Sequence, residues 1–373
     1  MIFYPGAPDA DVAQAVQDAA VRGLFSGGHY TTALERLFTG SLGVAHLMPT
    51  PSCTAALGMA CRLAPVGPGD EVILPSYNFP AAGNAALLAG ATPVLCDIDP
   101  ATQNLSAPDV ERRITPRTRA VIAVHYAAVA ADMERLGALC RAHGLTLIED
   151  AAQAVGATLN GRHLGGIGRF GCYSFHATKV FACGEGGALV YGPEDAEAAA
   201  LDRDTGTTRE AFLRGACLCY AWQGLGESMR MSELGAAALY PQLVRRDETI
   251  AKRLRVHRAY DAAFRAAAER GLIQPMAVPE GRAVNGHMYY VRFRSGEERD
   301  RVRALLGAQG IEALTHYVPL HLSPMGAALG YRPDDLPESR RAYETLLRLP
   351  IHERMSEDQA YGVAERLLEA VRA

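Results

Sequence analysis

Between residues 50 and 150 short apolar runs alternate with helical segments, and this alternation limits the fold more than any other feature. "TAALGMACRLA" has a helical period, "DEVILPSY" reads as strand and "AAGNAALLAG" as helix. "TPVLCDID" (strand), "APDVERRI" (helix), "RAVIAVHY" (strand), "MERLGALCRAHG" (helix) and "LTLIED" (strand) continue the pattern. Apolar runs of this length between helices predict strands buried on both faces. The fold class expected is α/β, a mostly parallel sheet joined by right-handed crossovers. Ligands of such sheets sit beyond the carboxyl ends of the strands. That rule puts Tyr77, Asn78, Phe79, His125, Asp150 and the segment after Phe175 near one rim.

At 373 residues the chain is long for one core, so a large and a small domain are expected. The region from Ser232 to Gly271 reads as helical, with Pro241 kinking or interrupting it. It leads from a large domain (1–240, with an N-terminal arm) to a small α+β one (241–373). There "HMYYVRF" reads as strand, and "RDRVRALLGAQG", "RRAYETLLRL" and "SEDQAYGVAERLLEAV" read as helices. A net charge of −4 gives no basic field for nucleic acid. No apolar run reaches membrane-spanning length and the start lacks a signal-like pattern, so a cytoplasmic location is expected. The eight cysteines are scattered without zinc-ligand spacing, which predicts reduced core thiols and no metal.

"GCYSFHATKVFACGEGGALVYG" frames Lys179 with small residues between two apolar runs. A lysine near a strand end is ordinarily a surface residue, and its neighbours decide otherwise. In "MPTPSCTAALGMA", Ser52, Cys53 and Thr54 open a helix, which suits phosphate binding or simple N-capping by Ser52 or Thr54. Asp150 ends a strand, either to cap a helix or to aim a carboxylate at a cationic ring nitrogen. Phosphate donors, an aromatic at Phe79, a strand-end carboxylate and a lysine are the parts of a pyridoxal phosphate site. Gly166-Ile167-Gly168-Arg169-Phe170-Gly171 matches G-x-G-x-x-G but precedes a strand, so it is no dinucleotide site.

With these pieces in view the chain resembles the DegT/DnrJ/EryC1/StrS-type pyridoxal-phosphate-dependent nucleotide-sugar aminotransferases, of fold type I. "PSCTAALGMA", "GDEVILPSYNF", "EDAAQAVGA", "GCYSFHATK", "GEGGALV", "RMSELGAAAL" and "HYVPLH" carry the resemblance almost end to end. "TPSCT", "VHYA" and "HYVPLH" are most similar to the enzymes that aminate dTDP-4-dehydro-6-deoxy-D-glucose at C4. The resemblance implies a covalent link between Lys179 and the cofactor, with Asp150 on the pyridine nitrogen and Gln153 near the ring hydroxyl. It implies Phe79 on the ring face and Cys53, Thr54 and Ser174 around the phosphate. It further implies L-glutamate as amino donor and a homodimer with shared sites. Two segments depart from the pattern. Ser228 in "GESMRM" stands where relatives carry an asparagine that reaches the partner's phosphate, and "VHYAAVAADM" lacks the usual Gly-Gln.

Substrate contacts are expected from His29 in a loop over the site (Ser26 to Thr32), and from Arg209 and Arg214 beside Tyr220 and Trp222. His316, Tyr317 and His321 of "HYVPLH" are expected to reach the site or to serve the core. Retained Lys179 argues against a dehydratase of this fold, whose relatives carry histidine there. Amine transfer at C3 of a 3-keto sugar, and a catalytically silent homodimer, stay open as alternatives.

Overall fold

The strands read between residues 50 and 150 all form, and they lie side by side in one sheet. The computed structural model describes residues 9–372; the start of the expected N-terminal arm, residues 1–8, lies outside the described residues. Helices α1 (Ala10–Arg22) and α2 (His29–Leu42) precede β1 (His46–Thr50). Then come α3 (Cys53–Leu63), β2 (Glu71–Pro75), α4 (Ala81–Leu88), β3 (Thr92–Cys96), α5 (Ala107–Arg113), β4 (Thr118–Val124), α6 (Met133–His143) and β5 (Thr146–Asp150). A small hairpin, β6 (Thr158–Leu159) and β7 (Arg162–His163), leads to β8 (Phe170–Ser174) and β9 (Gly187–Tyr191).

The seven-stranded sheet has the order β1-β9-β8-β5-β4-β2-β3. β3, β2, β4, β5 and β8 run parallel, and β9 is antiparallel to both β8 and β1. Helix α3 lies on β8 and β9, burying Ala56, Leu57, Met59, Ala60 and Cys61 against Cys172 and Leu189. Of these, fully buried Leu57, Met59 and Leu189 contribute about 1.5–3 kcal/mol each. The close approach depends on Gly187, where a Cβ would fall 2.3 Å from the carbonyl carbon of Ser52 and 2.4 Å from the nitrogen of Cys53.

Helices α7 (Ala196–Arg203) and α8 (Arg209–Leu213) are followed by α9 (Glu233–Val244) and α10 (Arg246–Glu269). Pro241 is absorbed inside α9, and the break comes at Arg245 (φ −95°, ψ 19°), past the expected boundary at 240/241. Proline removes one N–H and crowds the turn before it, which a helix near its end tolerates. Next come β10 (Gln274–Pro275), β11 (Arg282–Ala283), β12 (Tyr289–Arg292), α11 (Gly296–Ala308), α12 (Pro324–Ala328), α13 (Pro337–Thr345), β13 (Leu346–Leu349) and α14 (Glu357–Arg372). β10, β12 and β13 form a second sheet, and β11 joins β6 and β7. "RRAYETLLRL", expected to be helical throughout, ends as a helix at Thr345; its last four residues are β13, paired antiparallel with β12. A four-residue apolar run carries no usable period, so tertiary pairing decides it. The second core gathers Tyr260, Phe264, Tyr289, Leu347 and Leu367, and it also takes in Tyr77 and Tyr126 from the rim of the first sheet.

Candidate active site

Strand ends, the start of α3 and the second sheet enclose a cavity of about 450 Å³. Ser52, Cys53 and Thr54 follow β1, Asn78 and Phe79 follow β2, and Val124 ends β4; all line it. Asp150 and Gln153 come from the end of β5, and Ser174 and Lys179 from the end of β8 and the loop beyond. His287, His316, Tyr317 and Arg348 close it from the second sheet's side.

Asp150 is buried, and no helix starts after it, so the capping alternative fails; its Oδ1 accepts from the Ala152 N–H at 3.1 Å. Burial pushes its carboxyl above the ordinary range, against the Ala152 N–H and the charge of Lys179. Lys179 sits on a loop fastened by backbone bonds from Phe175 to Gly186 (2.8 Å) and from Ala177 to Gly184 (2.9 Å). Burial pushes its amine below the ordinary lysine value, while the charge of Asp150 acts the other way. The two groups are thus held in one cavity with their protonation equilibria displaced toward the neutral forms.

Ser52 does cap α3, accepting from the Ala55 N–H at 3.1 Å. The N–H groups of Cys53 and Thr54 have no partner within the helix, as at any helix start. Ser174 lies opposite Gly187 in the β8–β9 pair. The Cys53 thiol is 3.6 Å from the Cys172 carbonyl, and burial keeps it protonated, so it offers a backbone donor rather than a nucleophile. All eight cysteines are free thiols.

Gln153 accepts from the Ala127 N–H (2.7 Å) and donates to the Tyr317 hydroxyl (3.2 Å). Phe79 stands at the mouth, 57% exposed, its ring centroid 6.4 Å from that of Tyr317. The His316 carbonyl accepts from the Tyr77 hydroxyl. Burial, with help from Arg348 and Lys179, keeps the imidazole of His316 neutral. Asn78 Nδ2 is buried with no hydrogen-bond partner, although its Oδ1 accepts from the Phe79 N–H at 2.7 Å. An orphaned donor, a buried carboxylate that calls for a cation, a lysine able to shed its proton and a helix start with free N–H groups suit pyridoxal phosphate.

Five sequence candidates lie outside this cavity within one chain. His29 opens α2, where Glu233 of α9 accepts the N–H groups of Gly28, Tyr30 and Thr31. The segment expected as a loop over the site is therefore, from His29 on, a helix start tied down by a carboxylate. Arg209 pairs with Asp204 at 3.5 Å, and Arg214 lines a separate hollow with Glu35 and Glu210. Ser228 is exposed and bridges to Asp204. His321 takes the core role, its Nδ1 2.7 Å from Ser76 Oγ. The glycine turn at 165–168 does bind an anion, but an internal one: Glu149 accepts from Gly165 (2.8 Å), Ile167 (2.6 Å) and Gly168 (2.6 Å).

His287 and Arg348 were not foreseen. Arg348 is the one charge in a buried four-residue strand, a signal hidden by the helical reading of that segment. A plainer signal for Lys179 also stands in the sequence: among 37 lysines and arginines, only Lys179 and Lys252 are lysine.

A mixed, mostly parallel sheet with a lysine and an aspartate meeting beyond its strand ends defines a pyridoxal-phosphate-dependent aminotransferase of fold type I. The crystal structure of the aminotransferase TlmJ from Streptoalloteichus hindustanus superposes with a TM-score of 0.90 at 31% identity, covering 100% of this chain and 98% of that one. A neighbour from Streptococcus pneumoniae has been solved with the cofactor in PLP and PMP forms. The chain belongs to the DegT/DnrJ/EryC1/StrS aminotransferase family, whose profile matches residues 7–368. It is 35% identical to the dTDP-3-amino-3,4,6-trideoxy-alpha-D-glucose transaminase of Streptomyces venezuelae, over 96% of this chain and 92% of that one. It is 33% identical to the dTDP-4-dehydro-2,3,6-trideoxy-D-glucose 4-aminotransferase of Saccharopolyspora spinosa, over 92% and 90%. Relatives at similar identity are named for GDP- and UDP-linked sugars. The protein is a sugar aminotransferase.

Proposed function

We propose that this enzyme transfers the amino group of L-glutamate to C4 of dTDP-4-keto-6-deoxy-D-glucose, giving a dTDP-4-amino-4,6-dideoxyhexose. The observation that carries the catalytic part is the placement of Lys179 and Asp150 in one cavity with displaced proton equilibria. C4 and the dTDP group rest on "TPSCT", "VHYA" and "HYVPLH", with His316 and Tyr317 of the last motif lining the cavity.

Bound pyridoxal phosphate supplies an electron sink for the carbanion left when a proton leaves the donor's α-carbon. Asp150, as carboxylate, holds a proton on the ring nitrogen, and that cation supplies the partner its burial calls for. Lys179 Nζ holds the cofactor between turnovers. Its lowered proton affinity would let neutral Nζ take the proton from the donor's α-carbon and, in the second half, give one to the sugar carbon that receives the amine. Cys53 and Thr54 N–H groups and the Ser174 hydroxyl hold the phosphate, while Gln153 and Phe79 fix the ring. Positioning of this kind lowers barriers by on the order of 7–11 kcal/mol. Two substrates that use one site in turn give ping-pong kinetics.

We place the working enzyme in the cytoplasm as a homodimer. Leu218, Trp222 and Leu225 are 99%, 80% and 82% exposed in one chain, and an apolar set of this size favours a partner surface. In a dimer Ser228, His29, Arg209 and Arg214 are assigned to the partner's site. The test is incubation with glutamate and the 4-keto and 3-keto sugars side by side, with the product read by ring couplings in NMR. An amine at C4 supports the proposal, and turnover of the 3-keto sugar alone overturns it.

A further inference from the structure

We infer that Asn78 holds the ring hydroxyl of the cofactor through its Nδ2, a contact prepared by the end of β2. The inference rests on the cofactor placement given above and not on the choice of sugar. Asn78 is 3% exposed and lines the cavity that holds Lys179 and Asp150. Its Oδ1 accepts from the Phe79 N–H at 2.7 Å, and its buried Nδ2 has no hydrogen-bond partner. The Phe79 bond fixes which way the amide lies, since turning it over would set two donors against each other. The backbone beneath is pinned as well. The Asn78 N–H donates to the Ser76 carbonyl (3.0 Å), which also accepts from the Leu320 N–H (2.8 Å). The Ser76 hydroxyl accepts from the His321 N–H (3.1 Å) and lies 2.7 Å from His321 Nδ1. A buried amide donor costs free energy while unpaired, and one held this firmly cannot turn away to water.

The order of the sheet decides which atom it meets. Cys53 and Thr54 follow β1 and Ser174 ends β8, so the phosphate donors lie to one side of Asp150 on β5. β4 and β2 lie to the other side. Pyridoxal phosphate carries its phosphate arm and its hydroxyl on opposite sides of the axis through the ring nitrogen. With the nitrogen at Asp150 and the phosphate at the start of α3, the hydroxyl faces β4 and β2. Val124, at the end of β4, offers no side-chain donor, and the His125 imidazole is spent on Glu149 and the Ala131 N–H. Gln153 reaches the same side, but its Oε1 takes the Ala127 N–H and its Nε2 already donates to Tyr317. Asn78 brings an amide nitrogen with neither hydrogen spent. A phenolic oxygen beside a cationic ring is acidic, and as an anion it is a strong acceptor for such a donor.

The test titrates cofactor-free wild type, Asn78→Ala and Asn78→Leu with pyridoxal phosphate and with 3-deoxypyridoxal phosphate, which lacks the hydroxyl. Dissociation constants are read by absorbance, and folding by thermal melting. Leucine nearly matches asparagine in size, so it leaves no gap for a water to replace the lost donor. The alanine variant decides the matter should the leucine variant not fold. The wild type is expected to prefer pyridoxal phosphate. Each variant is expected to lose at least tenfold of that preference, the scale of a hydrogen bond to a charged oxygen. A disturbance of Phe79 or of the backbone weakens both ligands alike and leaves the ratio where it was. A wild type indifferent to the hydroxyl, or an unchanged preference in a folded variant, overturns the assignment. No sugar and no glutamate enter the titration, so an error over C4 or the nucleotide leaves this result intact.

Discussion

Lys179 and Lys252 are the only lysines in the chain, which turns a question about one residue into a simple labelling experiment. Burial disfavours the charged amine of Lys179, so its folded-state pKa lies below the ordinary 10.5. The neutral, reactive fraction therefore rises at lower pH than for a free lysine. In protein stripped of cofactor, an amine-directed reagent read by mass spectrometry is expected to label Lys179 with a midpoint below 10.5; a midpoint at or above that value contradicts the burial argument. Asp150→Asn is expected to keep the melting temperature and lose most of kcat, because an amide cannot hold the ring nitrogen protonated. These two residues were legible because each sits at the end of an apolar run, and strand ends in parallel sheets face the ligand. Arg348 and His287 were not legible, since only the pairing of β12 with β13 brings them to the cavity.

The start of α3 and the β8–β9 loop form one unit, because Gly187 leaves no room for a side chain beneath Ser52 and Cys53. Gly187→Ala is expected to destabilise the fold by about 1–3 kcal/mol and to weaken cofactor binding along with it. Denaturant unfolding and a cofactor titration check this, and unchanged affinity would show that the start of α3 takes no part in binding. Glu149 joins β5 to the glycine turn and to His125, whose Nε2 is 2.9 Å from its carboxylate. His125 Nδ1 accepts from the Ala131 N–H, so the proton sits on Nε2 and points at Glu149. Glu149→Gln sets an amide N–H₂ against backbone donors, and a loss of about 1–3 kcal/mol in denaturant unfolding is expected. The strands and helices from 50 to 150 were legible because their periods are clean. The end of α13 was not, since Leu346–Leu349 becomes strand only through its partner.

Across the whole molecule, the second core draws Tyr77 and Tyr126 from the first sheet's rim, so the cavity is built by both parts of the chain. The exposed set around Trp222, the only tryptophan, predicts a dimer by sedimentation. Leu218→Asp is expected to yield monomers with red-shifted tryptophan emission and little activity. A fully active monomer contradicts shared sites. The α/β class and the cofactor were legible from spacing and motif. The amine's position on the sugar was not, because relatives named for C3 and for C4 share one fold and similar identity to this chain.

The central claim, that amine transfer runs through one ε-amine, is tested most directly with glutamate alone. Cofactor-loaded wild type and Lys179→Ala are mixed with excess L-glutamate, and 2-oxoglutarate is quantified as the visible band fades. The wild type is expected to release one 2-oxoglutarate per site, and the variant to be slower by roughly 10²–10⁴-fold or more, the span of a lost general base. Release by Lys179→Ala at the wild-type rate would contradict the account.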